Sequence, residues 1–218
     1  KKNIFNKKKF KKICISDDKK IKLIFNENNI NLVIHCAAHA YVVEGERQKK
    51  RYTENNIKKT RIFLKNVLSN KIKNFIFLSS SNVYTEKKNY KKFSENSSTI
   101  PKNHYGKTKV YIEKYLLNNK TKFDNLFIIR LFNIIGLTKS FFPLYKKFRY
   151  QRLLFKLAHC SFLDKKIKIN YFTIKNQKKF PSRDFLDIRD LTVLISKIII
   201  KTKKSVKNYK IYNVGKGK

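Results

Sequence analysis

Three apolar runs constrain this chain more than any other feature. They lie at residues 31–38 (NLVIHCAA), 74–78 (NFIFL) and 125–132 (NLFIIRLF). None alternates apolar with polar positions, as a strand with one wet face would. Between them lie stretches with helical spacing. Residues 52–68 repeat apolar positions at Ile57, Ile62, Phe63, Val67 and Leu68. Residues 107–118 do so at Val110, Ile112, Tyr115 and Leu116. A third helix is predicted at 191–200 and a last short strand at 211–214. Strands that are apolar on both faces and separated by helices imply a covered parallel sheet. The predicted class is α/β, a doubly wound parallel sheet. Right-handed crossovers then collect the strand C-termini on one edge, where ligands of such folds bind. Residues 35–38, 79–81 and 132–133 all fall at such ends.

Composition removes several function classes. The 218 residues are 41% hydrophobic, enough for a substantial core. Fifty-three Lys and Arg against 14 Asp and Glu give a net charge of +39. The lysines are spread over the whole chain, and Gly, Pro and Trp are scarce. That is the mark of drift toward AT-rich codons at exposed positions, not of a binding stripe. No specific nucleic-acid partner is expected, although such a surface holds polyanions nonspecifically at low salt. Cys14, Cys36 and Cys160 are odd in number and show no CxxC spacing. They fit neither a disulfide framework nor a zinc site, so no metal is expected and a reducing, cytoplasmic setting is. No apolar run is long enough for a membrane span. The chain opens at Lys1 and holds no methionine, so it reads as trimmed or incomplete at its start.

Chemistry concentrates in Tyr105-Gly106-Lys107-Thr108-Lys109, at the start of the second helix. The i, i+4 spacing puts Tyr105 and Lys109 on one helical face. A free tyrosine is a poor base at neutral pH, with a pKa near ~10. A nearby ammonium favours the phenolate. The Ser79-Ser80-Ser81 run at the end of the preceding strand supplies a hydroxyl to share the proton. Together they form a proton-transfer device suited to an alcohol that loses hydride. A YxxxK alone is weak in a lysine-rich chain; strand, serine run, loop and YGKTK helix in that order are far more specific.

Several longer segments carry a family resemblance. Residues 33–44 (VIHCAAHAYVVE), followed by Tyr52, Asn55-Asn56 and Thr60, resemble VIHFAAxAYVGE and YxxNNxxGT of the UDP-glucose 4-epimerases. These belong to the extended, sugar-nucleotide-modifying short-chain dehydrogenase/reductases. Glu95, Pro101 and Tyr105–Lys109 are similar to E-x5-P-x3-YGxSK. Residues 130–136 resemble RYFNxxG, 182–191 resemble IRDYIHVxDL, and 212–217 resemble YNxGxG.

The resemblance implies a Rossmann-like domain at 1–136 and 182–216, with a partial substrate-binding lobe at 137–181. It implies NAD as cofactor and a UDP-hexose as substrate, inverted at C4 through a 4-keto intermediate. Ser80, Tyr105 and Lys109 would be catalytic. Ile15, Ala37, Ala38, Asn56 and Phe132 would lie along the NAD, with Tyr105 and Lys109. Asn133 and Arg183 would hold the UDP diphosphate, with Ser80 at the sugar. It also implies a homodimer through the helices that contain residues after Tyr52 and Tyr105.

Plainer readings stand beside these roles. Ala37 and Ala38 suit tight packing, Phe132 suits a core, and Arg183 could pair with Asp184 or Asp187. Ser79 and Ser81 are read as shaping the turn, and His35 and His39 as structural. The chain also departs from the family pattern. No GxxGxxG precedes residue 13, so the first βαβ unit, the usual cradle of the NAD diphosphate, is not seen. The chain as given is therefore expected to bind NAD weakly or not at all. Cys14 stands for an Asp, Lys59 for a Gly, Val43 and Gly45 for a Gly and a Ser. His104 stands for a Pro, Leu131 for a Tyr and Asp187 for a His. Two other readings remain: another extended member such as a dehydratase or reductase, or a remnant that keeps the fold without its cofactor. Dehydratases carry an Asp-Glu pair after the catalytic Ser or Thr, where this chain has Ser81-Asn82.

Overall fold

The computed structural model describes residues 11–85, 92–136, 171–174, 176–180, 183–202 and 207–217, with positions 157, 160, 161 and 166. The chain divides into two compact units. One comprises Lys1–Phe132 and Ser196–Val214, the other Asn133–Ile195 and Gly215–Lys218.

Among the described residues, the first element of the first unit is helix α1 (Asp18–Glu27), which the lysines of its sequence hide from periodicity. Asp17 caps it by accepting from Lys20 N at 3.2 Å. Strand β1 (Leu32–His35) follows, shorter than the apolar run that announces it, because its pairing with β2 stops at His35–Phe77. Residues 36–38 are thereby freed to form the loop at the strand end. Helices α2 (Val42–Arg47) and α3 (Lys49–Tyr52) lead into a π-helical segment, Thr53–Lys59, and then α4 (Thr60–Ser69). The helix expected over 52–68 is thus interrupted by a wider turn, of the kind that often marks functional positions. Strand β2 (Asn74–Ser80), α5 (His104–Asn118) and β3 (Asn125–Leu131) match the predicted elements to within a few residues.

In the second unit β4 (Asn133–Ile135) pairs in parallel with β7 (Phe185–Asp187). Strands β5 (Phe172–Ile174) and β6 (Gln177–Lys179) form an antiparallel pair. Residues 167–170 lie outside the described residues. Most of the expected lobe at 137–181 does too. Helix α6 (Ile188–Thr202) precedes β8 (Asn208–Val214), which returns to the first unit.

Among the described residues the main sheet is parallel, in the order β1-β2-β3-β8. Side chains alternate across it. Phe75 and Phe77 of β2 and Leu126 and Ile128 of β3 share one face, packed with Ile21, Phe63, Leu64, Val67, Ile112 and Leu116 of α1, α4 and α5. Ile76, Phe127 and Ile129 take the other parity and are also sealed, so both faces are covered. Each such side chain contributes about 1.5–3 kcal/mol by burial. This core holds the C-terminal ends of β1, β2 and β3 on one edge, where the chemistry-bearing residues lie.

Candidate active site

Helix α5 carries two of these residues, and its start is firmly fixed. Asn103 caps it by accepting from Gly106 N at 2.7 Å. Gly106 leaves no room for a side chain: a Cβ there would run into the Asn82 carbonyl oxygen and Pro101. Its lack of a side chain lets α5 approach the turn after β2. On the other flank His104 Nε2 lies 3.0 Å from Thr53 Oγ1 and 3.1 Å from Lys49 O. The histidine that departs from the family pattern thus ties α5 to the π segment.

Tyr105 is buried at 6% exposure, and the Lys109 ammonium lies 5.9 Å from its ring centre. Lys109 is 4% exposed. Its Nζ donates to Leu78 O at 2.7 Å and sits 4.7 Å over the Phe77 ring. Burial pulls its pKa down from 10.5 to about 8, against the opposing pull of Cys36 and Glu113. Ser80 ends β2 at 7% exposure, and its Oγ accepts from Asn82 N at 3.2 Å and Asn82 Nδ2 at 3.1 Å. Ser80, Tyr105 and Lys109 therefore stand on two neighbouring elements joined by Leu78, Asn82 and Asn103.

The loop after β1 is held to the same helix. Asn56, buried in the π segment, accepts from His39 N at 2.8 Å and donates to His39 O at 2.9 Å. It also donates to Thr108 Oγ1 at 3.2 Å. This pins the segment that follows Ala37, which is exposed, and Ala38, which is half-buried. Ile15 packs against the core from the segment before α1. Phe132 is half-buried just past β3, where its N donates to Val214 O at 3.0 Å. His35 is a core histidine, stacked at 5.6 Å on Phe63 and 5.8 Å on Phe77.

Asn133 and Arg183 belong to the second unit. Asn133 Nδ2 donates to Asp184 O at 3.0 Å, and Arg183 is exposed. Asp184 accepts from Lys216 N at 2.6 Å and Gly217 N at 3.0 Å, while Asp187 is bound by Arg189 at 2.7 Å.

Sequence reasoning passed over a buried polar network beneath the site. Glu113, one turn past Lys109 on α5, accepts from Ser79 Oγ at 2.5 Å and from Arg130 Nη2 at 2.8 Å. Arg130 Nη1 donates to Tyr84 OH at 2.8 Å and Glu95 O at 2.9 Å, and Tyr84 OH donates to Asn213 Oδ1 at 2.7 Å. Two signals were available: a lone Glu at i+4 from Lys109, and an Arg inside an apolar strand. Ser79 thus does more than shape a turn; it joins β2 to this network.

Among the described residues no cluster of His, Cys, Asp or Glu could hold a metal ion. The model of the NAD dependent epimerase/dehydratase family matches residues 1–215. The chain belongs to that family. Among curated members, it is 31% identical to probable UDP-arabinose 4-epimerase 3 of Arabidopsis thaliana over 212 residues, 94% of this chain and 50% of that protein. It is 39% identical to UDP-glucose 4-epimerase of Halalkalibacterium halodurans over 100 residues, 46% of this chain and 30% of that protein. Among solved structures, the UDP-Glc/GlcNAc 4-epimerase of Campylobacter jejuni superposes with a TM-score of 0.76 at 26% identity, over 96% of this chain and 64% of that one. UDP-glucose 4-epimerase of Brucella ovis, solved in complex with NAD, gives a TM-score of 0.77 at 23% identity over the same shares and shows the Rossmann-like α/β fold. The chain spans about half the length of the Arabidopsis relative, and less of the bacterial one.

Proposed function

We propose that this chain belongs to an NAD-dependent epimerase that inverts C4 of a UDP-sugar, interconverting UDP-glucose and UDP-galactose through a 4-keto intermediate. The observation that carries this reading is the buried Lys109 ammonium beside Tyr105 at the end of β2. An ammonium close to a phenol favours the phenolate, which then accepts the proton of the sugar 4-hydroxyl. Ser80 steadies the same oxygen. NAD, when bound, supplies a hydride acceptor that returns the hydride, so no net oxidation occurs. Tyr105 gives its proton back once the sugar has presented its other face.

At the ribose next to the reacting ring, the residues present fit such a cofactor. An ammonium has three donors, and among the described residues Lys109 uses one, on Leu78 O. The other two suit ribose hydroxyls. The small side chains of Ala37 and Ala38, with Ile15, Asn56 and Phe132, would flank the dinucleotide. Asn133 and Arg183 would hold the UDP diphosphate, for which a guanidinium fork is well shaped. The domain division at 136 and 182, with a substrate-binding lobe between, is part of this reading. So is a homodimer through α4 and α5, whose Ile62 and Tyr111 are exposed. The free thiols Cys14, Cys36 and Cys160 support a cytoplasmic setting. Among the described residues no helix is long and apolar enough to cross a membrane.

A pentose substrate is the second reading. It is favoured by the similarity to UDP-arabinose 4-epimerases of Arabidopsis over 94% of the chain. The dehydratase alternative is disfavoured by Ser81-Asn82, since neither side chain is an acid. The test incubates the protein with NAD+ and UDP-galactose, UDP-glucose or UDP-arabinose and follows the anomeric proton signals. The reading expects a C4 epimer with the native chain and none with Tyr105→Phe. Salt-sensitive polyanion binding with no epimer from any sugar would favour the remnant instead.

A further inference from the structure

Ser80 is held in an unusual way. Its Oγ is all but buried and accepts two hydrogen bonds, both from Asn82. A hydroxyl has two lone pairs and one proton. Both lone pairs are taken, and among the described residues these are the only hydrogen bonds of the Ser80 side-chain oxygen, both from Asn82. Its proton is left to point away from Asn82.

Which end of the Asn82 amide faces Ser80 follows from a fixed donor. A backbone N–H can only donate, so Gly106 N must meet an oxygen, and that oxygen is Asn103 Oδ1 at 2.7 Å. Asn103 then turns Nδ2 toward Asn82, 3.3 Å from its Oδ1. Asn82 is left to present Nδ2 to Ser80 at 3.1 Å. The direction of every bond is set by Gly106, the neighbour of Tyr105 on α5. Reversing any one amide would set donor against donor.

We propose that Asn82 and Asn103 are positioning residues that hold Ser80 as a hydrogen-bond donor to the reacting sugar oxygen. The consequence is chemical as well as geometric. A serine with a free lone pair could accept a hydrogen bond from protonated Tyr105 and compete with the substrate oxygen for it. With both lone pairs filled it can only donate, and Tyr105 remains the sole base. This inference rests on the epimerase reading for the identity of the oxygen, while the relay of hydrogen bonds stands on geometry alone.

Two variants separate this role from a merely structural one. Asn82→Ala removes the side-chain donor and leaves the backbone bond. Asn82→Asp keeps the shape and still accepts from Asn103, but offers Ser80 an acceptor and draws its proton inward. The expected kcat falls about tenfold in Asn82→Ala, less than the loss of a whole transition-state donor, and roughly a hundredfold in Asn82→Asp, in the range of such a loss. KM for the UDP-sugar changes little in either. A structural role gives the opposite order, with Asp the milder change, and that order overturns the proposal. A second readout is independent of turnover. In the labelled native chain, the Asn82 side-chain amide protons should give nuclear Overhauser contacts to the Ser80 β protons. Amide protons directed at Asn103 instead overturn the relay. Absence of any epimerisation by the native chain counts against the epimerase reading, and the amide contacts then decide the relay by themselves.

Discussion

The Arg130 guanidinium and the Glu113 carboxylate meet at 2.8 Å with side chains only 4% and 3% exposed. Their geometry is a fork on a carboxylate, with Arg130 Nε also 3.2 Å from Glu113 Oε1. Removing one partner strands the other charge in the interior. Glu113→Ala is expected to lower stability by about 3–5 kcal/mol. The double variant Glu113→Leu, Arg130→Met should recover much of that loss in a denaturant titration. A single variant as stable as the native chain would show that the pair is not sealed.

On the proposed reading, Lys109 sets an alkaline limit on activity. Burial lowers its pKa to about 8, so the ammonium is lost as pH rises through that value. Without it the Tyr105 phenolate loses the support of a nearby positive charge. The expected kcat/KM profile falls above about pH 8. Lys109→Arg, whose guanidinium keeps its proton, should be slower but lose the falling limb. A native profile that stays level to pH 10 would remove Lys109 from this role.

His35 is expected to make the fold acid-sensitive. Burial, aided by the charge of Lys109, lowers its pKa from 6.5 to about 4, against a hydrogen bond with Ala37. A group with a depressed folded pKa leaves the unfolded chain with more bound protons between the two values. Stability is then lost as pH falls from about 6.5 to 4, by roughly 3 kcal/mol for this shift. His35→Leu should flatten that slope in unfolding titrations at pH 7 and pH 4.5. An unchanged slope would assign the acid sensitivity to another group.

Much of this was legible in the sequence, for definite reasons. Strands β2 and β3 are apolar on both faces, which only a covered parallel sheet demands, and they lie where 74–78 and 125–132 predicted. Tyr105 and Lys109 follow from helical spacing. Helix α1 was hidden because lysines occupy its wet face and leave a thin apolar stripe. Asn82 and Asn103 were hidden because their value lies in hydrogen bonds between segments 21 residues apart, which no local pattern encodes. Glu113 was lost for a similar reason, since its partners come from β2 and β3.

The measurement that tests the central claim most directly uses UDP-galactose deuterated at C4, incubated in ordinary water with the protein and NAD+. Hydride removal and return predicts UDP-glucose that keeps its deuterium at C4, and none from Tyr105→Phe. No product, or product in which C4 has exchanged its deuterium for a solvent proton, would contradict the account.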